Sequence, residues 1–185
     1  MGERQPRKAS YSDLEALPAH LTGELIDGEL YASPPPALAY AVAAAELFGE
    51  LSGPYVKGRR GPGGWRLLNE PELRLGGNVL VPDIAGWRRE RMPRTPRSAS
   101  STLAPDWVCE VISPSTRALD RKAKLPVYAR TGVRHVWLVD PDAHTLEVLR
   151  LEGAHYRARP LSGELLVRAE PFEALELELA LLWEE

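Results

Sequence analysis

Trp107-Val108-Cys109-Glu110-Val111-Ile112 is a continuous β-prone, apolar run interrupted by a single carboxylate. Such a run reads as a strand covered on both faces. Alternation sets Val108, Glu110 and Ile112 on one face and Trp107, Cys109 and Val111 on the other. An ionised carboxylate in that setting costs several kcal/mol unless a cation, a basic side chain or a place at the sheet edge compensates it. Immediately afterwards, Ser113-Pro114-Ser115-Thr116 supplies capping hydroxyls to a helix expected to run to about Arg130. Thr131-Gly132 closes that helix, and Pro126 should kink it or trim its start. Two further strands follow, Val133–Val139 and Leu146–Leu151, joined by the turn Asp140-Pro141-Asp142.

The same pattern extends upstream. Val79-Leu80-Val81-Pro82-Asp83-Ile84-Ala85 is a second apolar strand with one acid, and Pro82 marks Asp83 as a bulge or strand end. Gly61-Pro62-Gly63-Gly64 is a loop before strand-like Trp65–Leu68 and Glu72–Leu75, and Gly76-Gly77-Asn78 is a turn. The alanine-rich run Ala37–Leu51 has the apolar spacing of a helix packed on a sheet, ended by Gly53-Pro54. Before it, Gly23-Glu24-Leu25-Ile26-Asp27-Gly28-Glu29-Leu30-Tyr31 is a hairpin turned at Asp27-Gly28, with Ile26 facing Glu29 and Glu24 facing Tyr31. Helices alternating with strands predict an α/β domain: a mixed central sheet flanked by helices, with an additional N-terminal β-hairpin. Residues 1–12 read as a flexible basic lead-in and 13–185 as a single domain.

Composition bounds the function. The chain has 185 residues, 44% of them hydrophobic and 26% charged, as in an ordinary globular protein. A net charge of −3 argues against a nucleic-acid binder that uses its whole surface, while permitting a local basic cleft. A single cysteine, Cys109, excludes an internal disulfide framework and CxxC metal cages, and reads as a small core residue. There is no apolar stretch behind the charged amino terminus and no run long enough to span a bilayer, so the expected compartment is the cytoplasm. No GxGxxG or GxxxxGK[ST] loop is present, and His20, His135, His144 and His155 lack ligand spacing. Lysine is scarce: of Lys8, Lys57, Lys122 and Lys124, half lie within one helical turn.

Two lone acids in two apolar strands are better explained together than apart. If the strands are neighbours, Asp83 and Glu110 could share one hard divalent ion through oxygen ligands. Taken separately, each acid is equally well explained by a nearby arginine or backbone amide. The helix after the Glu110 strand carries Asp120, Lys124 and Tyr128 at i, i+4 and i+8. One of its lysines could reach back over the strand end to hold a water or offset phosphate charge; an exposed helix lysine is the plainer alternative. Arg88, Arg89, Arg91, Arg94 and Arg97 lie in a proline-broken loop that could grip a nucleic-acid backbone, a sequence-blind and salt-sensitive contact. A solvated surface loop accounts for it equally well.

The segments GELIDGEL, VLVPDIAGW, WVCEVISPSTRALDRKAKLPVYARTGVRHVWLVDP and TLEVLRLEG together resemble the Uma-two family, grouped with the restriction-endonuclease-like nucleases named for their PD-(D/E)xK motif. The resemblance spans about Gly23 to Phe172 and implies a restriction-endonuclease-like core. Pro82-Asp83 then corresponds to the PD element and Glu110 to the second acid. Ile112 stands where the superfamily places lysine, and in the family the lysine comes from the following helix: Lys124, with Lys122 in reserve. Glu24 corresponds to a family glutamate that completes the site, and Tyr40 stands where relatives often have histidine. The resemblance implies that Asp83, Glu110 and the Val111 carbonyl hold Mg²⁺, with Mn²⁺ as substitute, for DNA hydrolysis leaving a 5′-phosphate, in a homodimer or higher homo-oligomer. Two other readings compete. One is a non-catalytic nucleic-acid-binding or regulatory module that retains the fold; the other is a carboxylate-pair glycoside hydrolase, for which no aromatic-lined cleft is visible.

Overall fold

Asp27 and Gly28 adopt φ angles of 53° and 87°, the left-handed pair that a tight two-residue hairpin turn requires. The register follows as expected, with Glu24 opposite Tyr31 and Ile26 opposite Glu29. A computed structural model describes residues 7–163 and 166–183; residues 1–6 of the expected lead-in lie outside the described residues. In chain order the elements are α1 (Tyr11–Glu15), β1 (Thr22–Ile26), β2 (Glu29–Ser33), α2 (Leu38–Leu51), β3 (Trp65–Asn69), β4 (Glu72–Leu75), β5 (Asn78–Leu80) and β6 (Ile84–Arg88). They continue with β7 (Ser100–Ser101), β8 (Trp107–Val111), α3 (Arg117–Leu119), α4 (Leu125–Arg130), β9 (His135–Asp140), β10 (Thr145–Glu152), β11 (His155–Ser162), β12 (Leu166–Val167) and β13 (Leu177–Glu178).

The fold is mixed α/β. A six-stranded sheet runs β11-β10-β9-β8-β6-β3, with β8 and β9 parallel and the other pairs antiparallel. Parallel neighbours need a crossover, and the helical segment Arg117–Arg130 supplies it. The two faces of β8 are occupied as alternation predicts. Trp107, Cys109 and Val111 join an aromatic cluster with Trp65, Trp137 and Phe172, whereas Val108 and Ile112 join a second cluster with Val127, Tyr128 and Val136. Glu110 belongs to the second face, directly beneath the helix that carries Lys124.

The hairpin is not a separate appendage. It pairs through β1 with β5, entering a five-stranded sheet β2-β1-β5-β4-β7. The expected continuous strand Val79–Ala85 is therefore two strands in two sheets: β5 ends at Leu80, β6 begins at Ile84, and Val81-Pro82-Asp83 crosses between them. Pro82 has no N–H to give to a ladder, which makes the break local and physical. Prolines also explain both departures from α-helix. Around Pro54 the chain continues past α2 in π geometry (Ser52–Val56) rather than stopping. Ahead of Pro126, Asp120–Lys124 form a π-helical turn in which Leu125 N–H bonds to the Asp120 carbonyl, five residues back. A proline cannot extend the usual i to i−4 ladder, and single π turns of this sort recur at functional sites. Among the described residues no helix is long and apolar enough to cross a membrane.

Candidate active site

Ile84 pairs with Cys109, so Asp83, one residue earlier, stands at the same end of the sheet as Glu110. The acid-bearing strands are neighbours, as the shared-site reading requires. Asp83 Oδ2 accepts the Val111 N–H at 2.6 Å. Above them, Lys124 Nζ lies 2.8 Å from Glu110 Oε2, 3.2 Å from Glu24 Oε1 and 3.4 Å from Asp120 Oδ1, and it donates to the Val81 carbonyl at 3.3 Å. Glu24 Oε1 also accepts the Val81 N–H at 2.7 Å. The hairpin strand β1, the inter-sheet crossing, β8 and the π turn thus converge on one ammonium. Tyr128 completes the group, its hydroxyl donating to Glu110 Oε1 at 2.6 Å.

This cluster is buried. Exposure is 2% for Glu110, 3% for Asp120 and Lys124, and 5% for Glu24. It forms the floor of a cavity of about 260 Å³, with Pro34, Pro35 and Pro36 on one wall and Ser113, Ser115 and Thr116 on another. Asp83, Val111 and Glu70 also line the cavity. So does Tyr40, whose hydroxyl donates to Asp142 at 2.9 Å.

Charge does not balance here. Glu24, Asp83, Glu110 and Asp120 share one ammonium. Burial pushes the Asp83 carboxyl up to about 6, against the Val111 N–H and Lys124, which favour its ionised form. Burial likewise pushes Glu110 well above the usual carboxylate range, with Lys124 pulling against it and Asp120, Asp83 and Glu24 adding to the rise. For Lys124, burial disfavours the ammonium, but Glu110, Glu24 and Asp120 outweigh it and hold the amine well above its ordinary value. The lysine is firmly charged; the carboxylates remain short of positive charge.

That deficit fits a divalent cation. The cavity lining includes the hard carboxylate oxygens of Asp83 and Glu110, with Val111 beside them, and oxygen donors of this kind suit Mg²⁺ rather than a softer metal. Among the described residues no three His, Cys, Asp or Glu side chains form a metal cluster, so the set depends on a backbone carbonyl as its third member. Glu110 is already compensated in part by Lys124, a basic side chain from the following helix.

Of the residues singled out from sequence, Asp83, Glu110, Val111, Glu24 and Lys124 come together. Lys122 is exposed and takes no part in this cluster. Asp120 and Tyr128 belong to the cluster although neither was singled out for the site; their i, i+4, i+8 spacing with Lys124 was the available signal. The arginine loop lies elsewhere. Arg88 ends β6 at the opposite end from Asp83, five residues and so about 16 Å away at ~3.3 Å per residue. Arg89 donates to the carbonyls of Trp65 and Val56 at 3.1 and 2.7 Å, and Arg91 pairs with Asp106 at 2.8 Å. Arg88 lies over the Trp65 ring, 4.2 Å from its centroid, while Arg94 and Arg97 are exposed. Arg66 ties the loop down through Met92, Pro93 and Thr95. Cys109 is buried on the face away from Glu110.

The chain has no significant match among curated proteins. Its fold is similar to the crystal structure of "a putative nuclease belonging to DUF820 from Anabaena variabilis ATCC 29413", with a TM-score of 0.77 and 24% identity over 94% of this chain and 97% of that one. Residues 9–181 match the family described as "Putative restriction endonuclease", Uma2. With nearly its whole length matched, the chain belongs to the Uma2 family.

Proposed function

We propose that this protein is a Mg²⁺-dependent DNA endonuclease whose site is built from Asp83, Glu110, Lys124 and Glu24. The observation that supports it most is the buried excess of carboxylate over ammonium on the floor of a cavity. An acid cluster of that kind opposes folding unless a cation is to be taken up there. DNA as substrate comes from the family's description.

Asp83, Glu110 and the Val111 carbonyl would hold the ion, which when bound supplies positive charge to the scissile phosphate and makes water more acidic. Lys124 is the group able to hold the attacking water and to offset charge gathering on the phosphate. Glu24 and Asp120 keep its amine charged and aimed at the acids. Hydrolysis joins the water oxygen to phosphorus and breaks the bond to the 3′-oxygen, which takes up a proton from solvent. The products are a 5′-phosphate and a 3′-hydroxyl. Arg88, Arg94 and Arg97 remain available for backbone phosphates farther along the strand. A homodimer would present two such sites to a duplex.

The test is cleavage of circular single-stranded and duplex DNA in Mg²⁺ or Mn²⁺. The wild type should cut at least one form, and Glu110→Ala should cut neither. Equal cutting by both proteins would place any activity at another site. One observation favours the alternative of a binding module that has kept the fold: both Glu110 oxygens already hold donors, Lys124 and Tyr128. Tight DNA binding without cleavage in any metal would support that reading instead.

A further inference from the structure

We infer that Tyr128 is a positioning residue of this site: its hydroxyl fixes the orientation in which Glu110 meets a bound divalent cation. The inference rests on the metal-dependent reading above. The Tyr128 ring is wholly buried in the cluster formed with Ile112, Val127 and Val136, and a phenylalanine would fill that space as well. The hydroxyl therefore adds nothing to packing. Its single proton goes to Glu110 Oε1 at 2.6 Å, while Lys124 binds the other oxygen, Oε2, at 2.8 Å.

A glutamate's terminal torsion is broad and nearly two-fold, so a carboxylate with one partner can swing. Lys124 alone is a poor clamp, because its ammonium is shared with Glu24, Asp120 and the Val81 carbonyl. The tyrosine hydroxyl, having one proton and one acceptor, is the stricter restraint. Donors on opposite oxygens pin the carboxylate plane and still leave a lone pair on each oxygen for a cation. The π-helical turn Asp120–Lys124 between α3 and α4 sets this up: it brings Asp120, Lys124 and Tyr128 onto the same side, above β8.

Partners that orient a ligating carboxylate typically affect metal affinity by 10–100-fold. The experiment titrates Mn²⁺ alone into wild type, Tyr128→Phe and Tyr156→Phe by calorimetry at neutral pH. The folded state is checked by near-ultraviolet circular dichroism. Tyr156 is the control for loss of a partly buried, hydrogen-bonded hydroxyl elsewhere, since it donates to the Val133 carbonyl at 2.6 Å. The expected result is at least tenfold weaker Mn²⁺ binding for Tyr128→Phe and unchanged binding for Tyr156→Phe. Replacement of Tyr128 by 4-aminophenylalanine, which keeps a donor in the same place, should restore the affinity and covers the case in which the phenylalanine variant does not fold. Affinity within twofold of wild type for Tyr128→Phe overturns the inference alone. An aminophenylalanine variant that is folded but as weak as phenylalanine also overturns it. Wild-type protein that binds no Mn²⁺ overturns the metal-dependent reading and this inference with it.

Discussion

Replacing Lys124 by methionine removes the only ammonium in a cluster of four acids while keeping an unbranched chain of similar length. Glu110, Glu24 and Asp120 would be left with exposures of 2%, 5% and 3% and no cation. Removing one member of a buried ion pair typically costs about 3–5 kcal/mol. Here Glu110 keeps the Tyr128 hydroxyl and Glu24 keeps the Val81 N–H, so the lower figure, about 3 kcal/mol, is expected. That is a large part of a domain's usual stability of roughly 5–15 kcal/mol. Glu110→Gln alone should cost about 1 kcal/mol or less, since the amide oxygen can still accept from Tyr128 and Lys124 keeps two carboxylates. The double variant should regain half of the Lys124→Met loss, a coupling of about 1.5–2.5 kcal/mol once the cost of Glu110→Gln is subtracted, within the range for residues in contact. Urea unfolding in metal-free buffer measures all four corners of the cycle. The pH response has a definite sign. Burial lifts Glu110 above the usual carboxylate range, so between that range and its folded value the native state holds a proton that the unfolded chain has lost. Stability of Lys124→Met should therefore rise as pH falls through that interval. Coupling below about 0.5 kcal/mol would refute the view that Lys124 and Glu110 depend on one another.

Two further outcomes follow from the same geometry. Asp83 rises from an ordinary 3.8 to about 6, a penalty on the ionised form of at most about 3 kcal/mol. Metal-free Asp83→Asn should thus be more stable than wild type at pH 7, with an advantage that fades as pH falls toward 4; Mn²⁺ should raise the melting temperature of wild type and leave the variant unmoved. Replacing Arg88, Arg94 and Arg97 together by alanine should flatten the dependence of DNA affinity on salt by up to about three units of slope without altering Mn²⁺ affinity; an unchanged slope would make the loop a plain solvated surface.

The parts of the fold that could be read in advance are those where local chemistry leaves one answer. Asp27-Gly28 admits the left-handed turn at low cost, so the hairpin and its register came out as expected. The Trp107–Ile112 alternation separated the face of Glu110 from that of Cys109, while Lys124 was singled out from the helix lysines by the family likeness, because alternation alone does not say which face the helix covers. The break at Val81-Pro82-Asp83 was visible as a proline, but its consequence was not, because passage from one sheet to another depends on which strands β5 and β6 find as neighbours. Strand β11, His155–Ser162, was missed because its arginines, proline and histidine give no period-two apolar signal at a solvent-facing edge. Asp120 and Tyr128 were seen to share a helix face, yet nothing local marks a tyrosine as a hydrogen-bond donor to an acid on the preceding strand. The arginine loop shows the reverse limit: charge density suggested one shared role, whereas Arg89 and Arg91 are held by internal partners that only the tertiary structure reveals.

The most direct measurement of the central claim is anomalous diffraction from crystals soaked in Mn²⁺. The account predicts a peak at about 2.0–2.2 Å from oxygens of Asp83, Glu110 and Val111, the spacing of a hard octahedral ion, with Lys124 still bonded to the acids beside it. A fully soaked crystal with no peak there, and Lys124 alone facing Glu110, would contradict it.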